Sequence, residues 1–277
     1  MSKIWLVTGS SRGLGREITR AALARGDRVV ATARRPGDLA EFTETYGDAV
    51  RATALDVTDP AAAQAAVKLA VQEFGGLDVV VNNAGYANTS AFEETAIEDF
   101  RAQVETNLFG VINVSRAALP VLRAQRSGHL VQISSIGGRV GGTPGLAAYQ
   151  TAKFGVAGFS EVLANELAPL GVKVTVVEPG AFRTDWAGSS MRMDPPGADY
   201  LGTIGPMIDY RERVSGQEPG DPVRAGAVIT HLVDTANPPR RLLLGSDAVR
   251  LAGEASDRRA AEAAEWAELS RSTDFPA

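Results

Sequence analysis

Short runs of apolar residues alternate along this chain with longer stretches in which apolar positions recur every three or four residues. The short runs fall at 4–7, 28–32, 50–55, 79–82, 129–134, 173–178 and 241–244, and several are rich in Val and Ile with no in–out alternation. A strand with one wet face alternates, so continuous apolar runs of this length predict strands covered on both sides. Helical patterns lie between them at 14–25, 61–74, 97–122, 149–167 and 223–235. Strand and helix in alternation predict βα units, a mostly parallel sheet of seven strands and an α/β, doubly wound, Rossmann-type fold. The punctuation agrees: Asp59-Pro60 ahead of Ala61 supplies a helix cap and a first-turn proline. Gly26 and Gly171 follow helices where a left-handed residue is wanted. No internal repeat or low-complexity linker interrupts the pattern, which predicts a single domain over 1–277.

Two segments break the rhythm. Residues 185–220 form a long insertion between the sixth strand and the last predicted helix, carrying Trp186, Met191, Met193, Tyr200 and Met207 among several Gly and Pro. A loop of that length in a compact domain is functional or disordered, and this one is expected to be a substrate lid. The tail at 246–277 contains an Ala/Glu/Arg-rich run at 257–271 that predicts a surface helix with Trp266 and Leu269 on one face.

Composition removes several classes of function. A formal charge of -5, with no long basic run, argues against a general nucleic-acid binder. No window of about 18 uncharged apolar residues exists to span a membrane. The first residues run straight into a strand without the apolar core of a signal peptide, and the expected setting is cytoplasmic. The absence of cysteine removes disulfides, thiolate chemistry and cysteine-ligated metals. His129 and His231 are too far apart in sequence to suggest a metal pair, so no metal site is expected. No G-x-S-x-G elbow surrounds Ser134 or Ser135, which removes the serine-hydrolase reading.

What remains points to a bound nucleotide. Thr8-Gly9-Ser10-Ser11-Arg12-Gly13-Leu14-Gly15 connects the first strand to the first helix. Glycines there permit a tight bend and a close approach of backbone to phosphate, while the helix N-terminus supplies N–H donors. A plain tight turn is the alternative, but its place at the first strand favours a pyrophosphate. The second strand ends in Ala33-Arg34-Arg35, where a pocket for the unphosphorylated ribose would place a carboxylate. Ala33 supplies none; Arg34 and Arg35 supply positive charge instead, with Arg12 of the glycine turn within reach, and such a cationic pocket suits a ribose 2′-phosphate. Two solvated arginines remain the bland alternative. Farther on, Tyr149 and Lys153 stand four apart on one helical face, where an ammonium can draw down the pKa of a phenol and fit it for proton transfer.

Taken together, Thr8–Gly15, Asn82-Asn83-Ala84-Gly85, Asn107, Ser135, Tyr149 with Lys153, and Pro179-Gly180 followed by Thr184 resemble the ordered motifs of the short-chain dehydrogenase/reductases. The resemblance implies a catalytic set of Asn107, Ser135, Tyr149 and Lys153. Tyr149 would pass a proton to or from the carbonyl oxygen, and Ser135 would hydrogen-bond that oxygen. Lys153 would lower the pKa of Tyr149, and Asn107 would hold a water leading to solvent. It also implies cofactor contacts from Gly9, Ser11, Arg12, Gly13, Leu14, Gly15, Arg34, Asp56, Val57, Asn83, Ala84, Gly85, Tyr149, Lys153, Pro179, Gly180 and Thr184. Ser134 competes with Ser135; the glycine-containing turn after Ser135 favours the latter.

The expected function is hydride transfer between NADP(H), favoured over NAD(H), and a carbonyl/alcohol pair, in the direction of ketone or aldehyde reduction. The resemblance further implies a homo-oligomer, dimer or tetramer, joined through the long helices containing Asn107 and Tyr149. Gly145, Leu146, Tyr86, Phe92, Phe182 and the lid residues are expected to line a pocket for an apolar or aromatic small molecule. A cofactor-binding sensor without turnover, and non-redox catalysis such as epimerisation or dehydration, are the other classes open to such a chain.

Overall fold

The computed structural model describes residues 2–187 and 191–275. The first half of the chain runs β1 (Ile4–Val7), α1 (Gly13–Ala24), β2 (Arg28–Ala33), α2 (Ala40–Tyr46), β3 (Val50–Ala54), α3 (Pro60–Phe74), β4 (Val79–Asn82), β5 (Ala87–Thr89), α4 (Ile97–Val104) and α5 (Gly110–Gln125). The second half runs β6 (Gly128–Ile133), α6 (Gly137–Val140), α7 (Ala147–Leu167), β7 (Val172–Pro179), β8 (Met191–Met193), α8 (Leu201–Val214), α9 (Pro222–Asp234), β9 (Arg241–Leu244), α10 (Ser246–Glu265) and α11 (Ala267–Arg271). Seven strands form one sheet in the order β3-β2-β1-β4-β6-β7-β9, and every neighbouring pair is parallel. The sheet expected as mostly parallel is wholly so.

Two hydrophobic layers explain the continuous apolar runs. Trp5, Val7, Val29 and Ala31 face one side, where Ile18 and Ala22 of α1 and Ile229 of α9 cover them. Their neighbours Ile4, Leu6 and Val30 face the other side, against Val67 of α3, Val114 and Leu122 of α5, and Leu163 of α7. Successive residues of a strand point to opposite faces, so both sets must be apolar when both faces are covered. Local signals hold as well: Asp59 Oδ1 accepts from the Ala61 N–H at 2.8 Å to cap α3, and Gly171 closes its turn at φ +74°.

Three elements differ from the sequence pattern. The helix expected over 97–122 is interrupted by a π-helical segment, Glu105–Phe109, before it continues to Gln125. The inserted residue carries Asn107 to a fully buried position, where Oδ1 accepts from the Tyr86 N–H at 3.0 Å and Nδ2 donates to the Tyr86 carbonyl at 2.7 Å. The insertion at 185–220 is not a loop; β8 pairs with β5, and α8 follows. Gly202, Gly205 and an internal Pro206 hide α8 from a periodicity reading, because packing through buried Ile204 overrides their low helix propensity. Residues 188–190 of that insertion and 276–277 of the tail lie outside the described residues. The tail helix starts at Ser246, well before the predicted 257, and it packs through Ala248, Ala252 and Ala255 while Trp266 and Leu269 stay exposed. Small buried alanines give little hydrophobic contrast, which is why the pattern missed that turn. Among the described residues no helix is long and apolar enough to cross a membrane.

The contact between α6 and α7 sets the position of the site and gives a test of this packing. A Cβ on Gly138 would stand 2.8 Å from the backbone carbon of Lys153 and 2.6 Å from Ser134 Oγ, whereas one on Gly158 of the same α7 meets nothing within 4 Å. Gly138→Ala should cost roughly 1–3 kcal/mol by overpacking, while Gly158→Ala should stabilise by up to about 1 kcal/mol by improving helix propensity. Denaturant unfolding of the two variants checks the pair, and equal effects would contradict the packing.

Candidate active site

A cleft of about 730 Å³ runs along the C-terminal edge of the sheet, lined by Gly9 after β1, Ala33 at the end of β2 and Arg34 after it, Asn83 after β4, Ser135 after β6 and Pro179 of β7. The chain winds outward from β1 to β3, then returns to place β4 on the other flank of β1. The crevice at that reversal is where open α/β sheets accept ligands.

At one end the glycine turn is held against β4. Asn83 Nδ2 donates to the carbonyls of Thr8 at 2.9 Å and Gly9 at 3.2 Å, and the N–H groups of Asn83 and Ala84 both donate to Thr8 Oγ1. Gly9 and Gly13 take φ values of +70° and +57°, and a Cβ on Gly15 would overlap the Gly9 carbonyl oxygen. The first turn of α1 has no side-chain cap and no acidic residue. Its N–H groups therefore open toward the cleft wall formed by Gly9, Ser11, Arg12, Gly13 and Leu14. Thr184 packs over Gly13, and its Oγ1 accepts from the Trp186 N–H at 3.3 Å. These residues fit a dinucleotide pyrophosphate, with donors and no carboxylate where the phosphates would lie.

The next subsite carries the cations read from the sequence. Arg12 and Arg34 both line the cleft. Among the described residues neither forms a salt bridge, whereas Arg35 turns away to pair with Asp38 at 3.1 Å. Asp56 accepts from the N–H and hydroxyl of Thr58, which together hold its pKa below the usual carboxylate range. Val57 lines the same wall, its carbonyl accepting from Asn113 Nδ2 at 3.0 Å.

Ser135, Tyr149 and Lys153 meet at the centre. Ser135 lies beside the Tyr149 phenol, close enough to act against the effect of burial on it, and its Oγ accepts from the Gly137 N–H at 3.0 Å. Ser134 is engaged with α7 instead, donating to the Lys153 carbonyl at 3.0 Å. Gln150 holds the intervening loop by donating from Nε2 to Thr143 Oγ1 at 2.9 Å. Lys153 is buried and donates from Nζ to the Ile133 carbonyl at 2.8 Å. Burial lowers its pKa to about 8. Burial likewise pushes the Tyr149 phenol up to about 12, against the smaller opposing effects of the neighbouring Ser135 hydroxyl and the Arg211 charge. This departs from the expectation that Lys153 lowers the pKa of Tyr149. The ammonium sits 5.7 Å from the ring centroid and is directed at a backbone carbonyl rather than at the phenol oxygen.

The third region is the wall facing Tyr149. Trp186 lies 5.4 Å from Tyr149 between ring centroids, and Leu146, Tyr86, Phe182 and Met207 also line the cleft. Other expected residues fall elsewhere. Phe92 is exposed and packs edge-on against Phe100, Gly145 stands outside the main cleft, and the Tyr200 hydroxyl bonds Glu93. Met191 is buried behind Tyr149. The sequence reading missed Tyr210, Arg211, Val214, Glu218, Asp247 and Leu251, all of which reach the cleft from α8, the segment after it and α10. Arg211 carried no signal, because an arginine within Tyr210-Arg211-Glu212-Arg213 reads as one of several solvated charges. Buried His129 binds Thr175 Oγ1 at 3.0 Å away from the cleft, and burial lowers its pKa to about 4.

Comparison with known proteins agrees with this geometry. The short chain dehydrogenase family matches residues 3–194. Oxidoreductase BOA17 of Botryotinia fuckeliana is 50% identical over 271 residues, covering 98% of this chain and 98% of that protein. A short-chain dehydrogenase structure from Streptomyces avermitilis superposes with a TM-score of 0.91 at 40% identity, covering 99% of this chain and 98% of that one. The closed form of a serine dehydrogenase complexed with NADP+ superposes with a TM-score of 0.75 at 26% identity, covering 87% of this chain and 94% of that one. The glycine turn, the Ser135–Tyr149–Lys153 cluster and these matches lead to one assignment: the chain belongs to the short-chain dehydrogenase family.

Proposed function

We propose that the chain is an NADP(H)-dependent reductase that converts a ketone or aldehyde to the alcohol, and reversibly the alcohol to the carbonyl. The observation that carries the reading is the Ser135–Tyr149–Lys153 cluster, seated in the same cleft as the glycine turn and the two arginines. A bound nicotinamide supplies or accepts the hydride; the chain supplies the proton and the geometry. With its pKa near 12, Tyr149 is protonated across the neutral range and acts as the proton donor to the carbonyl oxygen. Ser135 takes the Gly137 N–H on its own oxygen, which leaves its hydroxyl hydrogen available to the substrate oxygen as negative charge develops there. Lys153, with a pKa near 8, keeps a positive charge beside Tyr149 near neutral pH. Asn107 commits its amide to the Tyr86 backbone and leaves one Oδ1 lone pair for a water-borne proton relay.

The choice of NADP(H) rests on Ala33 at the end of β2 and on the guanidinium groups of Arg12 and Arg34 in the cleft wall, neither of which forms a salt bridge among the described residues. The bound NADP+ of the serine dehydrogenase similar to this chain is consistent with it. A carboxylate at Ala33 would repel a 2′-phosphate, whereas guanidinium groups pair with it.

Tyr149→Phe should lower kcat for ketone reduction by about 100- to 10,000-fold, the usual span for loss of a general acid, while leaving NADPH affinity nearly unchanged. Turnover that survives in this variant would contradict the assignment of Tyr149. Arg34→Ala should weaken NADPH binding by about tenfold or more while changing NADH binding little, since the lost pair is with the 2′-phosphate. Tighter binding of NADH than NADPH by the wild type would contradict the arginine argument and leave the Tyr149 argument standing.

A further inference from the structure

Arg211 stands out among the charges of this protein because it projects from α8 into the cleft and, among the described residues, forms no salt bridge. Its guanidinium lies 5.4 Å from the Trp186 ring centroid, and Trp186 in turn packs against Tyr149. The only hydrogen bonds of its side chain among the described residues run to sulfur: Nε donates to Met207 Sδ at 2.9 Å and Nη1 to Met191 Sδ at 3.4 Å. Thioether sulfur is a weak acceptor, so these bonds orient the guanidinium without neutralising it. Asp185, Glu218 and Asp247 share the cleft, yet none of them forms a salt bridge with Arg211. The residues outside the described set carry no side-chain carboxylate either. Burial draws the Arg211 pKa down, with the hydroxyls of Tyr149 and Tyr210 the only partners that oppose it.

A guanidinium drawn partly out of water carries a desolvation cost that an anion with two oxygens offsets well, through paired charge-assisted hydrogen bonds. The surfaces around it are apolar: Trp186, Met207, Tyr210, Val214 and Leu146 line the same wall. Arg12 and Arg34 come from the glycine turn and the residue after β2, whereas Arg211 comes from α8 and is set against Trp186.

We infer that Arg211 is the specificity-determining residue for a carboxylate on the substrate, so that the protein acts on oxo acids, or the matching hydroxy acids, with an apolar or aromatic body. The oxo group meets Tyr149 and Ser135, the body lies against Trp186 and Met207, and the carboxylate pairs with Arg211. The inference deepens the proposed carbonyl reduction and rests on it for the identity of the reacting group, but the anion site can be tested without turnover.

The test is calorimetric titration of the full chain, saturated with NADP+, with 4-phenylbutanoate and with 4-phenylbutanamide. Wild type should bind the carboxylate at least tenfold more tightly than the amide. Arg211→Met should bring that ratio close to one, and Arg211→Lys should retain part of it; melting temperatures of both variants check that they fold, and the Lys variant serves should the Met variant not. A wild-type ratio near one, or a ratio undiminished in Arg211→Met, overturns the inference and makes Arg211 a structural clip on Trp186. The same samples are then given 2-oxo-4-phenylbutanoate and its ethyl ester with NADPH. Preference for the acid in kcat/KM, expressed in KM and lost in Arg211→Met, supports the inference. Reduction of acid and ester alike overturns it while sparing carbonyl reduction. A carboxylate preference in binding with no reduction of either compound keeps the anion site and counts against the proposed reductase activity.

Discussion

The ammonium of Lys153 is buried in the wall of the cleft, and among the described residues its one hydrogen bond runs to a backbone carbonyl, that of Ile133. A shift of its pKa from 10.5 to about 8 corresponds to roughly 3 kcal/mol against the charged form, so the fold must concentrate other interactions around it. They are visible in every element that touches it. Ser134 bonds the Lys153 carbonyl, and Gly138 brings α6 against its backbone where any side chain would collide. Gly85 leaves the gap between Lys153 Nζ and Asn107 Oδ1, and the π-helical segment turns Asn107 inward to close it. Ser134 serves the same constraint, since its hydroxyl is engaged with α7.

Around that centre the cleft is divided by charge. The glycine turn presents N–H groups, and Arg12 and Arg34, neither in a salt bridge among the described residues, line the cleft with it. On the far side of Tyr149 a second lone cation, Arg211, is set among aromatic and thioether groups. Between the two cationic regions lies a phenol held protonated by burial. Binding of anionic groups at both ends would orient a reacting carbonyl at the middle, which is a use of binding energy for positioning rather than for affinity alone.

The sheet, the glycine turn and the Tyr149–Lys153 pair were legible in the sequence because local chemistry determines them. Strands buried on both faces must be apolar throughout, and a turn with positive φ selects glycine. Asn107 could be named but its π-helical setting could not, since one inserted residue leaves no trace in an apolar pattern. Helix α8 was hidden for the opposite reason: Gly202, Gly205 and Pro206 argue locally against a helix, and only packing through Ile204 makes one. With α8 unseen, Arg211 could not be placed beside Trp186. Spacing on a helix shows which residues share a face, not where an ammonium points: Lys153 Nζ is directed at the Ile133 carbonyl.

The central claim is that Lys153 is a buried cation whose pKa is lowered to about 8. The chain has four lysines, so carbon NMR of lysine labelled at Cε gives a short spectrum in which Lys153→Met identifies one signal. Titration of that signal should show a midpoint near 8, well below the ordinary lysine value of 10.5. A midpoint above about 10, the range of a solvated lysine, would contradict the claim and with it the arrangement of α6, α7 and Asn107 around a buried charge.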